Sequence, residues 1–110
     1  MAAFSFAVLI SGNGSNLQAM IDAIEKENIS GKICCVLSDK ENAYGLKRAS
    51  RAKIPIEVVS NKDFETREDF DTELVKVLST YKPDLIVLAG FMRILSPKFI
   101  NAFTEKILNI

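Results

Sequence analysis

Apolar and polar positions fall into short blocks whose periods separate strands from helices. Residues 6–10 (FAVLI) form an apolar run with strand composition, too short for a free-standing helix. A polar hexad with two glycines, SGNGSN, follows at 11–16. Leu17, Met20, Ile21 and Ile24 then recur at i, i+3, i+4 and i+7, one apolar face of a helix. After a break at 28–31, residues 32–37 read as a second apolar strand, ending in the polar pair Ser38-Asp39. Asn42 is placed to cap a short helix with Leu46, Ala49 and Ala52 inward, and Pro55 ends it. Residues 56–59 predict a short third strand. The polar stretch 60–65 leads to Thr66-x-x-Asp69, a capping-box-like start. The helix beyond it carries Phe70, Leu74, Val77, Leu78 and Tyr81 on one face, the cleanest helical period in the chain. Pro83-Asp84 turns into a fourth strand at 85–89, apolar throughout, as a strand covered on both faces should be. Ser96-Pro97 pairs an N-cap with proline at the first helical position, opening a helix with Phe99, Ile100 and Phe103 inward. Residues 107–110 begin a fifth strand.

Strands alternating with helices predict an α/β fold, a mostly parallel, Rossmann-like sheet with helices on both faces. Ligands of such sheets bind outside the carboxyl ends of the strands, which here means residues 11–16, 38–42, 60–67 and 90–96. The chain stops inside an apolar, β-rich run with no turn signal after it. The expectation is a fold truncated within its fifth strand, with residues 1–110 the amino-terminal part of a single larger domain.

Composition narrows the classes. The 110 residues suit one domain, and 48% hydrophobic with 25% charged residues marks a globular chain. Fourteen basic residues against fourteen acidic ones argue against a broad nucleic-acid surface. No apolar run has the ~18–20 residues of a membrane helix. The start, MAAFSFAVLIS, lacks a basic segment and a signal-cleavage site, so the cytoplasm is the expected location. Cys34 and Cys35 are adjacent in a strand, so they should point to opposite faces, poorly placed to bond each other. They read as small core residues of a reducing compartment. With no histidine and no spaced cysteine pair, no metal site is expected.

The glycine hexad carries the first candidate chemistry. A strand, a glycine turn and a helix start together form a phosphate-binding arrangement. The first helical N–H groups have no internal partner, and the helix dipole places partial positive charge there. Gly12 and Gly14 can adopt positive φ and, lacking Cβ, let an anion approach. The competing reading is a tight βα turn with a helix cap and no ligand. Leu17 stands where a dinucleotide fingerprint has its third glycine, and no Gly-Lys-Ser/Thr follows. A phosphate monoester on a small nucleotide fits better than a pyrophosphate.

With SGNGSNLQAMI near one end and LAGFMRILSPKFI and ILNI near the other, the chain resembles the phosphoribosylglycinamide formyltransferase family. The likeness runs from Phe6 to the last residue, with both motifs in register. It implies the formyltransferase fold and an enzyme of purine synthesis. In the implied reaction, the amine of glycinamide ribonucleotide attacks the formyl carbon of the co-substrate 10-formyltetrahydrofolate through a tetrahedral oxyanion. The family's central chemistry uses an Asn, a His and an Asp. Asn109 matches the first, while the family's LNI run continues into a histidine beyond the last residue here. The 110-residue piece is therefore expected to be inactive alone. Gly14, Ser15, Asn16, Leu17 and Gln18 match the segment that holds the ribonucleotide, and Arg67 matches a ribonucleotide-contacting arginine. Met92, Arg93, Ile94 and Leu95 match the folate-side wall, which Asn109 also adjoins. The resemblance implies small-molecule partners, no nucleic acid or membrane, and a monomer or homodimer.

Each residue also has a plainer reading. Asn109 is a carboxamide in an apolar strand and needs partners, either a developing oxyanion or neighbouring backbone. Arg67 in a first helical turn opposes the dipole, which an anion would relieve, or it is a solvated surface arginine. Phe91-Met92 and Ile94-Leu95 either line a flat ligand or pack under the next helix, and Arg93 is then a surface charge. Two other function classes compete. One is a nicotinamide-dependent oxidoreductase using Gly12, Gly14 and Asp39 as a degenerate fingerprint, which Leu17 opposes. The other is a non-catalytic α/β binding module.

Overall fold

The computed structural model describes residues 4–110. Five strands alternate with four α-helices: β1 Ser5–Ile10, α1 Ser15–Glu25, β2 Lys32–Ser38, α2 Tyr44–Arg51, β3 Ile56–Val58, α3 Arg67–Tyr81, β4 Leu85–Leu88, α4 Pro97–Ala102 and β5 Ile107–Asn109, with a 3-10 turn at Asn61–Asp63. The strands form one sheet in the order β3-β2-β1-β4-β5, and every paired neighbour is parallel. The α/β, Rossmann-like architecture read from the pattern is the one observed.

Two apolar layers cover the sheet. On one face Leu17 and Ile21 of α1 and Leu46 and Ala49 of α2 pack with Val8, Ile10, Val36 and Val87. On the other, Phe70, Leu74 and Leu78 of α3 and Phe99 of α4 pack with Leu9, Leu37 and Ile86. Strand residues alternate between these layers, so β1, β2 and β4 are apolar almost throughout, as strands buried on both faces must be. Leu17, Leu74 and Leu78 are fully buried, each contributing about 1.5–3 kcal/mol relative to exposure.

The expectations failed in four places, each for a local reason. Ile100 is half exposed, because α4 has six residues and the Phe99–Phe103 stripe leaves it on the outer side. Asn42 does not cap α2. The N-cap is Ala43, and no side chain caps that end. Cys34 and Cys35 do not point to opposite faces. Phe6 pairs with Ile33 and Ala7 with Cys35, so Cys34 is the extra residue of a β-bulge, and both cysteines pack against the α3 layer. Both are free thiols, and Cys34 Sγ donates to the Phe6 carbonyl at 3.3 Å. A hydrogen bond donated to Cys34, reinforced by burial, pushes the Cys35 thiol up. Finally, Gly12 does not use positive φ, whereas Gly14, Gly31 and Gly90 do.

Candidate functional site

The chain runs outward from β1 through β2 to β3, then returns to place β4 on the other side of β1. The loops after β1 and β4 therefore diverge, opening a crevice at the carboxyl edge where such folds place ligands. A cavity of about 250 Å³ fills this crevice, formed by residues 11–16, Lys40, Ala89, Gly90 and Met92.

The glycine loop forms one wall. Gly14 is the N-cap of α1 in the left-handed conformation (φ 78°), and no side chain caps the helix start. The first N–H groups of α1 thus remain available to an anion. A Cβ on Gly14 would meet Gly45 Cα at 2.7 Å, so glycine is required there by contact as well as by φ. Gly45 N–H donates to the Gly12 carbonyl at 3.0 Å, docking α2 onto the loop. Arg48 completes the brace, donating from Nε to the Asn13 carbonyl at 2.8 Å and from Nη2 to Asn13 Oδ1 at 2.5 Å. Ser15 and Asn16 are exposed, whereas the Leu17 side chain is buried and can offer a ligand only main chain. Gln18 is engaged with Asp22 Oδ1 at 3.0 Å and with Arg48.

The 90–96 connection forms the other wall. Ser11, itself buried, accepts the Met92 N–H on Oγ at 2.8 Å, tying the two loops together. Phe91 and Leu95 pack inward against the α3 layer. Met92 and Ile94 point outward, 77% and 73% exposed. The two readings of this apolar stretch are therefore divided between its residues, half packing and half presented to solvent. Arg93 is not a free surface charge, since its guanidinium lies 5.2 Å from the Phe70 ring centroid.

The remaining sites are less gathered. Asn109 ends β5, in register with Leu88 of β4, on the same edge of the sheet as the crevice. It is exposed, so the argument from a buried carboxamide does not hold, and its side chain has no hydrogen bond among the described residues. Arg67 is the exposed first residue of α3, whose start Thr66 caps by accepting the Asp69 N–H at 3.0 Å. It does not line the crevice cavity.

Sequence reasoning missed three participants. Lys40 lines the crevice and also a second polar hollow of about 280 Å³ between residues 39–42 and 60–62. A lysine two places beyond a strand's carboxyl end was a usable signal. Gly45 was another, since glycine inside a helix is unfavourable by roughly 1 kcal/mol and calls for a packing reason. Arg48 left no local signal. Among the described residues, no helix is long and apolar enough to cross a membrane, and no group of three metal-ligating side chains forms.

The fold agrees with comparisons to known proteins. The sequence signature described as formyl transferase matches residues 4–110. A phosphoribosylglycinamide formyltransferase of Escherichia coli is 48% identical over 106 residues, covering 96% of this chain and 50% of that protein. One of Haemophilus influenzae is 51% identical over 104 residues, covering 94% and 49%. The solved phosphoribosylglycinamide formyltransferase of Coxiella burnetii superposes with a TM-score of 0.93 at 45% identity, over 96% of this chain and 50% of that one. The chain spans about half the length of these relatives. The nicotinamide reading gains no support from these matches, and Leu17, where it needs a glycine, is a fully buried core residue. Strand order, glycine loop and sequence likeness thus lead to one assignment: the chain belongs to the formyl transferase family.

Proposed function

We propose that the protein carrying this chain transfers a formyl group from 10-formyltetrahydrofolate to the amine of glycinamide ribonucleotide, as a cytoplasmic enzyme of purine synthesis acting as a monomer or homodimer. The observation that carries this reading is the crevice between β1 and β4, where an uncapped helix start faces an exposed apolar ledge across one cavity. In this reading the N–H groups at Ser15 and Asn16, with Gly14 and the Leu17 and Gln18 main chain, take the ribonucleotide phosphate. Lys40 supplies a cation beside it. Arg67 contacts the same substrate from the start of α3. The side chains of Met92 and Ile94, with the main chain of Arg93 and Leu95, form the wall for the folate's ring.

The chemistry joins these parts. The amine lone pair attacks the formyl carbon, a C–N bond forms, and the carbonyl oxygen becomes an oxyanion. Collapse breaks the bond to N10 of the folate, one proton leaving the attacking nitrogen and one arriving at N10. The Asn109 carboxamide donates to the oxyanion, a donor whose loss typically lowers kcat by ~10²–10³. The 110 residues contain no histidine, so this chain by itself is predicted not to turn over.

The test is formyl transfer by the full-length protein, followed as tetrahydrofolate release that requires glycinamide ribonucleotide. Turnover with both substrates is expected, and Asn109→Ala should lower kcat on the order of 10²–10³. No ribonucleotide-dependent release would overturn the proposal, and an unaffected Asn109→Ala would remove the amide from it.

A further inference from the structure

Met92 and Ile94 are the most exposed large apolar side chains among the described residues, so something must hold the ledge that presents them. Besides the inward packing of Phe91 and Leu95, the ledge is attached at three points. Ser11 holds the Met92 N–H, Phe70 lies under Arg93, and Asp71 holds the Ser96 N–H. The third is the least expected. Asp71 is fully buried, Ser96 is 7% exposed, and Asp71 Oδ2 accepts from the Ser96 amide at 2.6 Å.

Asp71 occupies the apolar stripe of α3, three residues before Leu74 and seven before Leu78. A leucine there would extend the core, whereas a buried carboxylate is costly unless it is bonded. Asp71 Oδ1 and Ser96 Oγ have no partner among the described residues, so the contact is one charge-assisted bond and not a network. Apolar packing already joins α3 to α4 through Phe70, Phe99 and Phe103. The carboxylate is therefore not needed to glue the helices, and its bond instead fixes the point where the ledge ends and α4 begins.

We infer that Asp71 is a positioning residue for the folate side of the site. Its carboxylate anchors the carboxyl end of the 90–96 connection to α3 and acts on the folate through the placement of Met92 and Ile94. The inference rests on the proposed formyl transfer.

The experiment uses the full-length protein with Asp71→Asn, which keeps an acceptor for the Ser96 N–H, and Asp71→Leu, which fills the site without one. KM is measured separately for 10-formyltetrahydrofolate and for glycinamide ribonucleotide, and backbone amide exchange is followed across residues 92–96. Asp71→Leu should raise the folate KM about tenfold, the scale of one lost charged hydrogen bond, with the ribonucleotide KM unchanged and the Ser96 amide deprotected. Asp71→Asn should restore most of both. Equal rises in the two KM values, a fall in Tm alone, or unchanged exchange would each overturn the inference. If the wild-type protein transfers no formyl group, the proposed function and the folate role fall together, and the exchange measurement decides the anchor by itself.

Discussion

Two glycines in one hexad look alike in sequence, yet their surroundings separate them. Gly14 has φ +78° and no room for a Cβ beside Gly45 Cα, while a Cβ on Gly12 would meet nothing within 4 Å. Gly14→Ala should therefore lose about 1–3 kcal/mol of stability through backbone strain and contact, together with phosphate-ester affinity. Gly12→Ala should stay within about 0.5 kcal/mol of wild type. Urea denaturation of the two variants checks this, and equal midpoints would contradict the geometry. The hexad marked the loop correctly but could not say which glycine is indispensable, because the obstacle lies on α2, 31 positions away. The cysteine pair makes the same point. Strand alternation is a sound local rule, and a single bulge opposite Phe6 and Ala7 cancels it.

Among the helices, α3 was the most legible, with Phe70, Leu74 and Leu78 buried as its period requires. Its polar members were the least legible. Asp71 shares the stripe spacing and could have been singled out as a carboxylate on an apolar face, but its partner Ser96, just before α4, could not. At its other end Tyr81 hydrogen-bonds Glu57 of the edge strand β3. That hydrogen bond, with burial, raises the phenol from 10.0 to about 12. A raised folded-state value means the contribution is complete below the unfolded pKa and is lost as pH climbs through the folded one. Stability of the wild type should thus fall relative to Tyr81→Phe between about pH 10 and 12. Parallel urea midpoints for the two proteins across that window would show that the Tyr81–Glu57 contact contributes nothing.

For the molecule as a whole, the β5 side of the sheet carries exposed apolar surface. Leu108 and Ile110 are half exposed, and they line an apolar hollow of about 230 Å³ with Phe6, Met20, Ile29, Leu85 and Val87. An edge strand beside an open apolar surface is a template for association. The 110-residue chain studied alone is expected to self-associate as its concentration rises. A concentration-independent monomer in sedimentation velocity would refute this. β5 itself was readable as a strand, and its exposure was not, since only the strand order puts it at an edge.

Local physics was enough to determine the elements. Apolar runs, the helical period of α3, the Ser96-Pro97 start and the glycine turn each report on neighbours a few residues away, and each was found near its expected place. The α/β class followed, because alternating apolar strands and amphipathic helices have few ways to bury both faces. The site needed the tertiary structure. The crevice exists because β4 pairs with β1 on the side opposite β2; the β4 pairing brings Met92 to Ser11, and the β2 pairing brings Lys40 to the cavity. The Asp71–Ser96 anchor likewise needs α3 and α4 packed on one face. These contacts join residues 25 to 81 positions apart, beyond the reach of any periodicity, and they are set by how the whole sheet is assembled.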